Sequence, residues 1–122
     1  MDTWNLKAEF IRDSKGRLVG IREIDIIHYY VRLSVVNPPA QTQKVVYELH
    51  ESYGQAKIEV KAGTPGFTTE ITTYGDYEVK VQLQLQEQVE TRVVELSQAL
   101  TESTAGDDAP EIRTALEQIR RL

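Results

Sequence analysis

The chain has 122 residues, of which 40% are hydrophobic and 27% charged, and its net charge is −5. This length and balance predict one folded domain and exclude an intrinsically disordered or membrane-spanning chain. The absence of cysteine excludes disulfides and thiolate metal sites, and it is typical of a cytoplasmic protein. From residue 87 onward eight acidic residues stand against four arginines. The basic stripe that nucleic-acid binding requires is missing, so nucleic acid is not an expected partner.

The first 21 residues predict an N-terminal β-hairpin. Hydrophobic and polar residues alternate over residues 4–10, which is the period of a strand with one buried face. Asp13-Ser14-Lys15-Gly16 has the composition of a tight turn with a left-handed last residue. Residues 17–21 would then return as the second strand. A helix over residues 4–11 is the competing interpretation, but the segment lacks a cap and a helical stripe.

The middle of the chain predicts a series of strands separated by turns. The nearly continuous apolar stretch over residues 24–36 predicts a long strand that ends at Asn37-Pro38-Pro39, because proline cannot donate to a ladder. Glycine-containing or polar segments separate the remaining strands. These are predicted at residues 45–50, 58–60, 67–72 and 77–86.

After residue 86 the hydrophobic period changes from that of a strand to that of a helix. A 4-3-4 spacing of apolar residues predicts a first helix: Val89, Val93, Leu96 and Leu100. A capping-box-like start at Asp108 predicts a second helix. Residues 87–122 therefore predict a helical hairpin that packs on the sandwich or on a partner, which leaves a homo-oligomer through this segment open.

These elements together predict a mainly β protein. About seven short strands with frequent turns indicate an immunoglobulin-like β-sandwich that lacks the usual disulfide. The predicted organisation is a sandwich over residues 1–86, of which residues 1–21 are an extra N-terminal hairpin. A C-terminal two-helix appendage follows over residues 87–122.

Two segments of the chain resemble the YEATS domain family. Leu49-His50-Glu51-Ser52-Tyr53 resembles the family's Leu-His-Glu-Ser/Thr-Phe, which closes an apolar strand. Tyr74-Gly75-Asp76-Tyr77-Glu78-Val79 resembles its Trp/Tyr-Gly-Glu-Phe-Glu-Ile, and Phe67 after Pro65-Gly66 is similar to its Pro-Pro-Phe. The resemblance covers roughly residues 26–86, and its overall style is that of the prokaryotic branch.

The resemblance implies a YEATS-like binding module and not a catalyst. In eukaryotic members the pocket reads acylated lysine on histone tails, so an acylated peptide or another protein is the implied partner. By position, Tyr53 and Tyr74 would be aromatic walls on either side of a flat acyl amide. The Ser52 hydroxyl and backbone N–H groups near Gly75 would donate to its carbonyl, which needs a donor once it leaves water.

His50 and Tyr77 would shape the back of this slot. Without the family pattern, Tyr53 and Tyr74 are equally consistent with core aromatics at the end of a sandwich, and His50 with a hydrogen-bonded structural histidine. Thr73 departs from the family pattern, because a glycine is usual before the second aromatic residue.

Two functions remain open from the sequence. The first is a module that recognises an acylated lysine or a similar planar neutral group, and the alternative is a scaffolding module that assembles through its C-terminal helices. No nucleophile, metal or acid–base constellation is evident, which predicts that the protein is not an enzyme and needs no cofactor or metal. His28 stands apart from any ligand-spaced cluster, and a structural role is predicted for it.

Overall fold

The computed structural model describes residues 4–23, 26–49, 57–105 and 109–121. Within these ranges a series of strands precedes two helices. In chain order the elements are β1 (Asn5–Phe10), β2 (Gly20–Glu23), β3 (Ile26–Val36), β4 (Lys44–Glu48), β5 (Lys57–Lys61), a 3-10 turn (Pro65–Phe67), β6 (Thr69–Thr73), β7 (Glu78–Gln84), β8 (Val89–Glu95), α1 (Leu96–Ser103) and α2 (Pro110–Arg121).

The strands form two antiparallel sheets that share one core. One sheet has the order β5-β4-β7-β8, and the other is built around β3. Val31 of β3 pairs with Phe10 of β1 and with Ile71 of β6, so these two strands lie on opposite sides of β3. β2 shares the side of β1, and the two follow one another along β3. This mainly β sandwich with two C-terminal helices confirms the predicted fold class.

The N-terminal segment differs from the predicted hairpin. The turn is present, since the Gly16 N–H donates to the Asp13 carbonyl at 3.0 Å and Gly16 has a φ of 81°. Its arms join through a bridge between Arg12 and Leu18, but β2 pairs with β3 instead of with β1. Residues 11–19 thus connect two strands that pair with the same side of β3, one after the other. β3 is long enough to pair with both. The competing helix over residues 4–11 is wrong.

The prediction of a helix from Val89 is also wrong, because this segment is a strand. β8 pairs with β7 along its whole length, and α1 begins only at Leu96. The 4-3-4 spacing spans the end of a strand and the start of a helix. β8 contains three valines and a threonine, and these β-branched residues favour a strand. The short turn after β7 places this segment beside β7, with which it pairs. The sheet therefore continues beyond residue 86.

The core fills the space between the two sheets. Alternate side chains of β1, β3, β4 and β7 meet there, as the period-two pattern predicts. Each large aliphatic side chain buried in this way contributes on the order of 1.5–3 kcal/mol. The fully buried members are Ala8, Val31, Leu33, Val45, Tyr47, Val79, Val81 and Leu83.

Both helices pack on the sandwich of their own chain. α1 lies against β1, and α2 buries the apolar residues Ile112, Ala115 and Ile119. The Tyr29 hydroxyl donates to Gln118 Oε1 at 2.6 Å, and the Leu18 N–H donates to Glu111 Oε1 at 3.0 Å. Burial raises the pKa of Tyr29, the nearby Glu111 carboxylate adds to the rise, and Arg22 opposes it. Apolar packing and polar contacts with β3 and with the segment before β2 therefore fix α2 in place.

A buried hydrogen bond joins β4 to the 3-10 turn that precedes β6. The Tyr47 hydroxyl donates to the Phe67 carbonyl at 2.7 Å, and burial raises the pKa of Tyr47, so the donor stays protonated. We expect Tyr47→Phe to lower the free energy of unfolding by about 1–3 kcal/mol, because a buried carbonyl loses its donor. Urea unfolding measures the difference, with Tyr30→Phe on the outer face of β3 as the control. Equal losses in the two variants would contradict a structural role for this bond.

Candidate functional site

The turn between β6 and β7, residues 74–77, marks one end of the sandwich. β4 finishes at this end, because its last residue, Glu48, pairs with Lys80 near the start of β7. β3 begins there, because Tyr29 pairs with Thr73 at the end of β6. Two strand termini and the turn therefore lie at the same end, which is where a sandwich presents its binding loops.

The Tyr74 ring rests against an imidazole. Its centroid lies 5.0 Å from that of His28, and the two ring planes are inclined by 53°. The register explains this contact, because one step beyond the Tyr29–Thr73 pair brings His28 opposite Tyr74. Tyr74 is half-buried and is not a member of the hydrophobic core. The structure therefore gives Tyr74 a ring that is supported on one side and reachable from solvent.

Side chains within the 74–77 turn fix its backbone. Thr73, which is fully buried, donates from Oγ1 to the Gly75 carbonyl at 2.9 Å. The departure from the family's glycine thus has a local role, because the threonine hydroxyl closes the turn. Gly75 is itself buried, and the half-buried Tyr77 packs against the core.

The same turn caps helix α1 from a distance. The Asp76 carboxylate accepts hydrogen bonds from the Ser97 N–H at 2.9 Å and from the Ser97 hydroxyl at 2.7 Å. The Tyr77 carbonyl accepts one from the Leu96 N–H at 2.9 Å. The first N–H groups of a helix need acceptors, and a carboxylate there also interacts favourably with the helix dipole. The residue before the helix provides no side-chain cap, so the turn and α1 stabilise each other.

Glu48, at the end of β4, is held between two lysines. Its carboxylate oxygens lie 3.2 Å from Lys57 Nζ and 3.5 Å from Lys80 Nζ. The hydrogen bond from Lys57, with the charge of Lys80, lowers the pKa of Glu48. The carboxylate therefore stays ionised at neutral pH. Exposed ion pairs of this kind add little stability. The two lysines nevertheless neutralise the charge of Glu48 at the end of the sandwich that carries the 74–77 turn.

The structure brings together half of the residues predicted for the site. Three lie in the turn: Tyr74, Gly75 and Tyr77. The other three lie outside the described residues: His50, Ser52 and Tyr53. Leu49, the last described residue before them, is partly buried against the core. Sequence reasoning missed the contact of His28 with Tyr74 and the bracing of the turn by Asp76 and Ser97, because both join distant positions in the chain.

Elsewhere the described residues offer little for chemistry. A cleft of 430 Å³ lies between α2 and the strands β2 and β3. Its polar lining residues Glu111 and Gln118 already accept hydrogen bonds from Leu18 and Tyr29, so this surface serves the docking of α2. No group of three or more His, Cys, Asp or Glu in the described ranges is arranged to hold a metal ion. Neither described helix is long and apolar enough to cross a membrane.

Comparisons with known proteins agree with this fold. The model of the prokaryotic YEATS domain family matches residues 28–96, which is more than half of the chain. A solved structure, described as the Yaf9 YEATS domain recognizing the H3K122suc peptide, is similar with a TM-score of 0.55 and 17% identity. That likeness covers 76% of this chain and 68% of the other, and at this identity it shows the fold alone. No curated protein matches the chain in sequence.

Proposed function

The chain belongs to the prokaryotic YEATS domain family, and from this premise we propose that it is a recognition module for an acylated lysine or a similar planar, neutral group. The ligand would enter an aromatic slot at the 74–77 end of the sandwich. The residues proposed to form this slot are His50, Ser52, Tyr53, Tyr74, Gly75 and Tyr77. An acylated peptide or another protein is the proposed partner, in the cytoplasm and without a catalytic step.

The position of Tyr74 is the observation that carries this proposal. Its ring is half-buried at one end of the sandwich, and His28 supports it at 5.0 Å. The turn that holds it is anchored to α1 through Asp76 and Ser97. An acyl amide is flat and uncharged, so it stacks well on an aromatic face. A wall that is rigid before the ligand arrives lowers the entropic cost of binding.

The path of the chain supports a second wall beside Tyr74. β4 brings the backbone to this end of the sandwich at Leu49, immediately before residues 50–53. These residues contain Ser52 and Tyr53, whose types suit the task. A tyrosine offers a second face for stacking, and a hydroxyl can donate to the acyl carbonyl, which costs about 1–3 kcal/mol if it is buried without a donor.

The alternative, assembly through the C-terminal helices, has less support. A helix that docks on a partner needs an apolar face that its own chain leaves uncovered. In α1 and α2 the apolar residues are instead buried within this chain. They are Leu96, Ala99, Leu100, Ile112, Ala115 and Ile119.

We expect Tyr74→Ala to weaken binding of an acetyl-lysine or butyryl-lysine peptide at least about tenfold, which corresponds to about 1.4 kcal/mol. The substitution removes one stacking face of the slot and leaves the core intact. Isothermal titration calorimetry with the acylated peptides and with the same peptides unmodified measures the effect. Circular dichroism and thermal unfolding check that the variant keeps its fold.

Two control variants separate the slot from the rest of the surface. Tyr74→Phe keeps the aromatic face and should bind as the natural chain does. Tyr30→Ala removes another half-buried tyrosine from the outer face of β3 and should leave binding unchanged. Acylated and unmodified peptides that bind the natural chain equally poorly would contradict the proposal, as would undiminished binding by Tyr74→Ala.

A further inference from the structure

Strand β8 forms an edge of its sheet and carries exposed apolar side chains. It is last in the order β5-β4-β7-β8, and within the described residues no strand pairs with its outer side. Val89 and Val93 are 57% and 55% exposed on the outer face of the sheet. Its seven residues include no proline or glycine, and the register with β7 is unbroken. An edge of this kind is a template for pairing with another strand.

The backbone of β8 presents hydrogen-bonding groups at regular intervals along this edge. The Leu96 N–H donates to the Tyr77 carbonyl, and the Gln88 carbonyl accepts from the Leu85 N–H. The backbone N–H and C=O groups of the even-numbered residues of β8 therefore point towards β7. In an antiparallel ladder the backbone N–H and C=O groups of successive residues point alternately to one side of the strand and to the other. The N–H and C=O groups of Val89, Thr91 and Val93 therefore point away from β7, towards the open edge.

The side chains of β8 are complementary to a second copy of the same strand. When two copies pair antiparallel about a two-fold axis at Thr91, Val89 faces Val93 on the outer surface of the sheet. On the other surface Glu90 of each copy faces Arg92 of the other, so the dimer contains two pairs of opposite charge. Opposite charges and β-branched pairs stabilise directly opposed positions. Moving the axis by one residue, which slips the two strands by two, would set Arg92 against Arg92, and this repulsion disfavours that register.

The immediate surroundings of Arg92 favour such a pairing. Its guanidinium lies over the Trp4 ring at 5.1 Å, while its buried Nε has no hydrogen-bond partner among the described residues. Within the described ranges, the Glu90 carboxylate accepts a long hydrogen bond of 3.4 Å from Trp4 Nε1. In the proposed pairing, the Glu90 carboxylate of one copy lies opposite the Arg92 guanidinium of the other, where a charge-assisted hydrogen bond can form.

The opposite edge of the same sheet, strand β5, carries lysines at both of its ends. In β5, full antiparallel overlap of two copies would set Lys57 against Lys61 and Glu59 against Glu59. Like charges in opposed positions are destabilising, and lysines on an edge strand are a common way to prevent pairing. Full overlap of two β5 strands is therefore disfavoured.

We propose that β8 of a second copy of this chain pairs with β8 about a two-fold axis at Thr91. The β5-β4-β7-β8 sheets of the two copies then form one continuous sheet. The two 74–77 turns then lie at opposite ends of the joined sheet. The contact is a single pair of short strands, which is smaller than a standard interface of about 800 Å² per partner. The dimer is therefore weak, with a dissociation constant between about 1 μM and 1 mM. This proposal does not depend on acyl-lysine recognition.

Sedimentation velocity of the full chain, up to about 1 mM, tests the proposal. We expect the mass to rise with concentration from 13.9 kDa towards twice that value. Thr91→Pro should abolish the rise, because proline cannot donate across the edge. The Thr91 N–H points away from β7, so this change removes no bond within the chain. Thr91→Ser is the matched control and should keep the dimer.

A charge exchange tests the register. Glu90→Arg alone should weaken the dimer by setting arginine opposite Arg92 of the second copy, and adding Arg92→Glu should restore it. The chain has no cysteine, so Thr91→Cys provides a clean crosslink between copies. Residues opposed in a hydrogen-bonded pair have Cα atoms about 5.5 Å apart, within disulfide range. Thr91→Cys should therefore crosslink on oxidation, whereas Glu59→Cys on β5 should not.

Three results would overturn the proposal. The first is a mass that stays at 13.9 kDa over the whole concentration range. The second is a Thr91→Pro variant that still dimerises. The third is a crosslink at Arg92→Cys in place of Thr91→Cys, which would put the axis at another residue. Should Thr91→Pro fail to fold, the crosslinks and the charge exchange still decide the question.

Discussion

Replacing Ile119 with alanine is expected to lower the free energy of unfolding by about 2–5 kcal/mol. Ile119 is fully buried and is the last apolar residue with which α2 enters the core. The substitution removes three carbon atoms from a close-packed position and leaves a cavity that the helix and the sandwich close only in part. Chemical unfolding followed by tryptophan fluorescence is a suitable measurement, because Trp4 is buried in the same core.

Glu117→Ala is the matched control for this change. It lies on the same helix but is exposed, so it should change stability by less than about 0.5 kcal/mol. We further propose that the helices and the sandwich unfold together, because α2 shares the core of the strands. The expected result is a single unfolding transition whose midpoint lies at a lower denaturant concentration in Ile119→Ala. A separate early transition of the helices, with the sandwich unchanged, would show that α1 and α2 unfold independently of the strands.

The strands that sequence reasoning predicted correctly are those whose pattern is local. β7 alternates apolar and polar residues throughout, and β3 is a long β-branched run that two prolines end. The hydrophobic period, the composition and the proline positions all lie within each segment. The sequence alone is therefore enough to predict these two strands. The family resemblance added the position of the aromatic turn, because it rests on residues 74–79 in order.

The features that sequence reasoning missed depend on pairing between distant segments. β8 has helical spacing when it is considered alone, and only the neighbouring β7 makes it a strand. His28 reaches Tyr74 through the register of β3 with β6, and no pattern within either strand specifies that register. The two-fold complementarity of β8 likewise becomes visible only once the strand and its open edge are known.

The candidate site combines both kinds of information. Tyr74, Gly75 and Tyr77 were predicted from a motif, but their support comes from tertiary contacts. The capping of α1 by Asp76 connects residues 21 positions apart. The proposed aromatic wall is held in a turn that hydrogen-bonds to α1, a helix outside the motif. Helix α1 therefore supports the candidate site, beyond being part of an appendage.

Replacing Asp76 with alanine is expected to reduce both stability and ligand binding. The change removes two acceptors from Ser97, one for its N–H and one for its hydroxyl. Loss of a charged partner from these partly buried donors should lower the free energy of unfolding by about 1–3 kcal/mol. The turn that holds Tyr74 loses its anchor at the same time, so binding of an acetyl-lysine peptide should weaken even where the variant is fully folded. Urea unfolding and calorimetry measure the two effects separately.

Two further variants identify the contact that is responsible. Glu78→Ala removes a nearby exposed carboxylate and should leave both quantities unchanged. Ser97→Ala removes only the hydroxyl and should cost less than Asp76→Ala, because the Ser97 N–H keeps its acceptor. The double variant should cost less than the sum of the single ones, because both changes break the same contact. Full additivity would show that Asp76 and Ser97 act independently. A loss of stability with unchanged peptide affinity would show that α1 supports the fold without stiffening the turn.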